Sequence, residues 1–134
     1  MARLASTPKI ALVVDDSMLI RHTVCRFLEE RGFQVEAATN GLEALELLAT
    51  LEPDIIITDI QMPRMSGMEL ISAVRNDPRT AQIPIVALSS LKYGAKGPAQ
   101  DARADFSILK DIDIEAQLGN ALDAVLGKAR ATGK

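Results

Sequence analysis

PDIIITDIQMPRMSG, residues 53–67, is the stretch on which the fold turns. Ile55, Ile56 and Ile57 form an unbroken apolar run that reads as a strand buried on both faces, and the run stops at Thr58 and Asp59 instead of fading into a helix. A carboxylate therefore stands at a strand's C-terminal end, the edge of an open α/β sheet where ligands bind. Pro63 interrupts regular structure beyond it, and Gly67 permits a tight turn into helical spacing over 68–75. One such aspartate says little, because turns favour the residue. A second acidic strand end changes the reading: the apolar run 10–14 finishes at Asp15 and Asp16. Paired strands lie roughly 4.8 Å apart, so three carboxylates meet if these two runs are neighbours.

Outward from these two runs the chain alternates. Ile20, Val24, Phe27 and Leu28 recur at helical spacing, with Gly32 as a C-terminal stop. Ile20 and His22 are roughly 200° apart on that helix, so His22 is read as a solvated side chain and Cys25 as a small packing residue. Phe33, Val35 and Ala37 alternate with Gln34 and Glu36, which suits a half-exposed strand at a sheet edge. Asn40 and Gly41 turn the chain into a helix that carries Leu42, Leu45, Leu47, Leu48 and Ala49 mostly on one face. After the helix through Met68, Ile71 and Val74, residues Asn76 to Pro78 end the pattern. A fourth strand, 84–89, closes on Ser89 and Ser90, and a fifth, 106–109, is followed by Lys110. Ile114, Leu118, Ala121, Leu122 and Val125 mark a final amphipathic helix. Between strands four and five, Gly94, Gly97 and Pro98 together cost about 5 kcal/mol in a helix interior, so the fourth helix is expected to be short or irregular. Five alternations of strand and helix imply a parallel sheet with helices on both faces.

The 134 residues fit one domain, and 48% hydrophobic with 25% charged residues is a folded, not a disordered, composition. A single cysteine excludes an internal disulfide and fits a reducing cytosol. Apolar runs are only strand-length and residues 1–9 lack a hydrophobic region, so neither a membrane span nor a signal peptide is read, and a cytoplasmic location is expected. A net charge of -3 without a basic block, and 3% aromatics, argue against direct nucleic-acid binding.

Acid, hydroxyl and ammonium groups thus collect at strand ends: Asp15 and Asp16, Asp59, Ser89 and Lys110. Such a set suits phosphate chemistry on a carboxylate, with Mg²⁺ held by oxygen ligands. The stretches VVDDS (13–17), DIIITDIQMPRMSG (54–67) and PIVALSS (84–90), with the isolated Lys110, resemble a response-regulator receiver domain of the stand-alone chemotaxis type, spanning 8–127 between flexible tails 1–7 and 128–134. The resemblance implies a flavodoxin-like, doubly wound five-stranded parallel sheet of order 2-1-3-4-5, an order for which such a regulator is itself the standard example. It implies Asp59 as phosphoacceptor, Asp16 as direct Mg²⁺ ligand, Asp15 as its companion acting through water, and the backbone carbonyl of Gln61 as a further ligand. Ser89 matches the hydroxyl that bonds the phosphoryl group and Lys110 the ammonium that pairs with it. The implied partners are a histidine kinase or phosphotransfer protein and a downstream protein. The implied module is not an enzyme beyond assisting its own phosphorylation and dephosphorylation.

Four positions depart from the family pattern. Asp111 follows the lysine in place of proline, Ser107 stands where an aromatic residue is usual, the fourth helix carries breakers, and Ser90 replaces a smaller residue. Phe106 is one place from the usual aromatic position and, by the two-residue period, faces the other side of the sheet. These departures motivate one alternative, a pseudo-receiver that binds a partner without phosphorylation. They also make residues 91–104, with Lys92, Tyr93 and Lys96, the expected surface of response. An enzyme reading fits less well: a dehalogenase-like phosphatase needs Asp-x-Asp where the acids here are adjacent, and a flavodoxin needs a phosphate loop where Asp15 and Asp16 would repel one.

Overall fold

The computed structural model describes residues 9–61, 65–89, 104–110 and 113–127. The elements in order are β1 (Ile10–Val14), α1 (Met18–Glu30), β2 (Gln34–Ala38), α2 (Gly41–Leu48), β3 (Ile55–Asp59), α3 (Gly67–Asn76), β4 (Ile85–Ser89), β5 (Phe106–Leu109) and α4 (Ile114–Leu122), the last running into a π-helical turn, Asp123–Gly127. All five strands are parallel in the order β2-β1-β3-β4-β5, the expected doubly wound arrangement. Its direction reverses between β1 and β3, and there Val14 pairs with Thr58, which brings Asp15 and Asp59 level at the C-terminal edge.

Side-chain alternation along the strands builds two cores. Ala11, Val13, Ile55 and Ile57 face Phe27 and Leu28 of α1 and Leu118 of α4. Leu12, Val14 and Ile56 face Ala44 and Leu48 of α2 and Leu70, Ile71 and Val74 of α3. Central strands coated on both sides account for their unbroken apolar runs.

The helix ends are fixed locally. Ser17 accepts the Ile20 N–H at the start of α1, Asn40 that of Glu43 at the start of α2, and Ser66 and Glu69 form a reciprocal capping box on α3. Gly32 stops α1 at φ 91°, with its own N–H donating to Glu29 O and the Phe33 N–H to Leu28 O, a Schellman motif that only an achiral residue enters cheaply. At the outer edge of β5, Gln117 of α4 presents its amide to one residue twice over: Leu109 N–H donates to Gln117 Oε1 at 3.0 Å, and Gln117 Nε2 donates to Leu109 O at 2.7 Å.

Three details differ from the sequence reading. The buried face of α2 is Gly41, Ala44 and Leu48, so Leu42, two residues or about 200° from Ala44, is turned outward with Ala49. Ala44 shares the inner face with Gly41 and Leu48 one turn to either side, and the helical period turns Leu42 away from them. Phe33, just before β2, and Val35 on it pack inward as expected, but Ala37 is exposed and Ala38 is buried against the opposite core. Phe106 does pack on the α1/α4 side, while Ser107 is exposed. Val125 reaches the core through the wide turn and not through a regular helix. Residues 91–103, the tails, Pro63, Ser90 and Asp111 lie outside the described residues.

Candidate functional site

The carboxylates of Asp15, Asp16 and Asp59 each offer an oxygen, and these oxygens lie within 4.8 Å of one another. β1 and β3 place them: Asp15 follows Val14, held by its N–H to Ala38 O on β2, and Asp59 ends β3. Asp15 is 0% and Asp59 2% exposed, whereas Asp16 faces solvent. Lys110, just past β5, brings Nζ to 3.1 Å from Asp59 Oδ2 and 3.3 Å from Asp15 Oδ2. Its own N–H donates to Ser89 O at 2.7 Å, locking the lysine to the end of β4. The Ser89 hydroxyl is buried beside this group and has no hydrogen-bond partner among the described residues. Gln61 is exposed and donates its N–H to Asp59 Oδ1 at 3.3 Å. All six residues expected from the sequence therefore lie at one sheet edge.

Burial pushes the Asp59 carboxyl up to about 6, with Asp15 adding to the rise and Lys110 and the Gln61 N–H opposing it. Burial raises Asp15 as well, against the Ser17 N–H and Lys110. For Lys110, burial pulls downward, but the two aspartates outweigh it and hold the ammonium above its ordinary range. The site is thus a crowded acidic pair neutralised in part by one lysine. Oxygen is its only donor type, and Asp15 Oδ2, in ionic contact with Lys110, makes no hydrogen bond among the described residues. Spare carboxylate lone pairs of this kind fit a hard divalent cation such as Mg²⁺.

Several supporting residues escape sequence reasoning. Ser17 N–H donates to Asp15 Oδ1 at 2.8 Å, and Arg21 Nη1 to Asp15 O at 2.8 Å, so the first turn of α1 holds Asp15 from two sides. The Asp-x-Ser spacing could have suggested the first contact as an Asx turn; nothing local marks the second. Gly67 is packed so tightly that a Cβ there would run into the Asp59 carbonyl oxygen. His22 is exposed and Cys25 packs at the edge of the core, where burial raises its thiol. A groove of about 510 Å³, lined by Lys9, Arg31, Phe33, Glu115 and others, shares no residue with the acidic site.

The family described as response regulator receiver domain matches residues 11–122. Among similar proteins, the DNA-binding dual master transcriptional regulator RpaA of Synechocystis is 34% identical over 112 residues, 83% of this chain and 46% of that protein. The polar-differentiation response regulator DivK of Brucella anthropi is 32% identical over 96 residues, 72% of this chain and 76% of that one. The chain spans about half the length of RpaA and of the MprA response regulators it also matches. In structure, the chemotaxis response regulator CheY4 of Vibrio cholerae superposes with a TM-score of 0.74 at 32% identity, covering 88% of this chain and 99% of that one. Sequence match, sheet order and shared fold agree, and the chain belongs to the response regulator receiver domains of two-component signalling.

Proposed function

We propose that Asp59 accepts a phosphoryl group from a phosphohistidine of a histidine kinase or phosphotransfer protein, and that the phosphorylated form presents an altered surface to a downstream protein. An Asp59 carboxylate oxygen forms the new bond to phosphorus, the P–N bond breaks, and its electron pair returns to the imidazole, which takes up a proton. Asp15, Asp16, Asp59 and the Gln61 carbonyl are the residues that would hold Mg²⁺, which supplies positive charge to the phosphoryl oxygens. Lys110, already 3.1 Å from Asp59, pairs with the oxygens on the other side. The Ser89 hydroxyl, buried and without a hydrogen-bond partner among the described residues, would donate to the transferred group.

The observation that carries this reading is the convergence of two further carboxylates and one ammonium on a buried strand-end aspartate. A receiver that binds without phosphorylation draws no support from a site whose expected members are all in place. Among the described residues no helix is long and apolar enough to cross a membrane. The proposed module is cytoplasmic, and its proposed partners are proteins. It is not proposed to be an enzyme acting on other substrates. The test is mass measurement after incubation with acetyl phosphate and Mg²⁺: the wild-type chain gains one phosphate and Asp59→Asn gains none. Full labelling of that variant would defeat the assignment.

A further inference from the structure

β5 is the last strand of the sheet, so its outer edge has no strand to bond. At the end of that edge Gln117 of α4 accepts the Leu109 N–H through Oε1 and donates through Nε2 to Leu109 O at 2.7 Å. The second of these bonds reaches further than Leu109. Leu109 C=O and Lys110 N–H belong to one planar peptide unit, and the Lys110 N–H donates to Ser89 O at 2.7 Å. That unit is therefore gripped at both of its polar ends, from α4 on one side and from β4 on the other.

What hangs from the gripped unit is the lysine. Its four-carbon stem is flexible, yet Nζ reaches 3.1 Å from Asp59 Oδ2 and 3.3 Å from Asp15 Oδ2. A flexible stem delivers its charge to one place only if its root is fixed. Proline after the lysine would narrow the lysine's own backbone, but Asp111 stands there. The restraint comes instead from the residue before it. Gln117 can supply that restraint because its helix is packed down: Leu118 beside it and Ala121 one turn on are fully buried in the core with Phe27.

Resting on the reading of Asp59 as acceptor and Lys110 as its cation, we propose that Gln117 is a positioning residue for the phosphoryl site: its amide fixes the peptide from which Lys110 sets out, and so aims the ammonium at Asp59. Its effect on the acceptor passes through Lys110. The test uses the full chain and two measurements: the initial labelling rate with acetyl phosphate at saturating Mg²⁺, and hydrogen exchange of the Lys110 amide in the metal-free chain.

Gln117→Met keeps the length and helix propensity of the side chain while deleting its donor and its acceptor. It is expected to slow labelling by about tenfold, within the roughly 100-fold that misplacing a group by about 1 Å costs. Exchange at Lys110 should quicken by about tenfold, the opening that loss of one supporting hydrogen bond allows. In a Lys110→Met background the same substitution should slow labelling no further, because no ammonium is left to aim. An amide that merely held α4 to the sheet would slow both backgrounds alike. Should Gln117→Met fail to fold, Gln117→Glu keeps the acceptor for the Leu109 N–H and loses only the donor to Leu109 O, and it is expected to slow labelling with the same dependence on Lys110. Wild-type labelling or wild-type Lys110 exchange in the folded variant, or equal slowing with and without the lysine, overturns the proposal. A wild-type chain that takes no phosphate would sink the acceptor reading instead, and the exchange at Lys110 would then decide the clamp by itself.

Discussion

Lys110 Nζ and Asp59 Oδ2 lie 3.1 Å apart although β3 and β5 are not neighbours. β4 runs between them, so the lysine spans roughly two strand spacings, about 10 Å, across the end of the strand that carries Ser89. Lys110→Met, which keeps the apolar stem and deletes the charge, leaves the buried pair Asp15 and Asp59 without its cation. Labelling by acetyl phosphate should slow by about 100-fold, the cost of removing one stabilising donor from a developing charge. The metal-free fold should lose up to about 3 kcal/mol at pH 7. Labelling kinetics and urea melts check both, and an unchanged labelling rate counts against the role.

Asp59 predicts an inverted pH dependence. Its carboxyl rises from an ordinary 3.8 to about 6 in the fold, chiefly through burial. Below that window both states hold the proton; within it the folded state keeps a proton that the unfolded chain releases, so stability falls as pH rises. The full loss is about 3 kcal/mol by pH 7, and the raised Asp15 acts in the same direction. Lys110, raised as well, loses its contribution only at alkaline pH and does not cancel the slope. Urea melts between pH 4 and 7 in the presence of chelator, wild type against Asp59→Asn, should diverge in favour of the variant. Parallel curves would show that the aspartate is not strained by its surroundings.

Metal should relieve the same crowding. Mg²⁺ at about 100 times its dissociation constant is expected to stabilise the wild-type fold by about 2.7 kcal/mol. Asp16→Asn removes one of the three gathered carboxylates. It should make the metal-free chain more stable and blunt the gain on adding Mg²⁺. A denaturation midpoint that ignores Mg²⁺ in the wild type would deny the site.

Gly67→Ala tests the close approach behind the acceptor. The new Cβ would meet the Asp59 carbonyl oxygen and sit 2.8 Å from Ile60 Cα, and neither atom can swing aside. The expected loss is about 1–3 kcal/mol, the usual range for overpacking, with slower labelling in the surviving fold. A midpoint equal to wild type would mean that α3 has more room at its start than these distances allow.

Four strand ends were legible because an apolar run closes on a polar residue: Ile57 leads to Thr58 and Asp59, Val14 to Asp15, Leu88 to Ser89 and Leu109 to Lys110, whereas Gln61 was expected only from the family resemblance. Period and position suffice where a residue's role follows from its own strand. They do not suffice where a role depends on a contact between elements. Leu42 has the hydropathy of a core residue, yet the smaller Ala44 takes the inner face with Gly41 and Leu48. Arg21 holds Asp15 across a helical turn, and Arg75 bridges α3 to Asp105 at 2.8 Å, though nothing in their neighbourhoods marks them. Gly41 reads as a turn glycine until Met65 is seen against it.

The paired bonds between Gln117 and Leu109 bear on how the molecule keeps to itself. A terminal strand offers an outward donor and acceptor on every second residue, which is the template another chain needs to add itself to a sheet. At Leu109 both groups are already taken by the one amide of Gln117, which copies the donor and acceptor of a neighbouring strand. On the far side, β2 carries Glu36 in mid-strand, a charge that opposes stacking of a like edge. One border is capped at Leu109, beside Lys110, and the other carries a charge, and both features oppose the addition of a further strand.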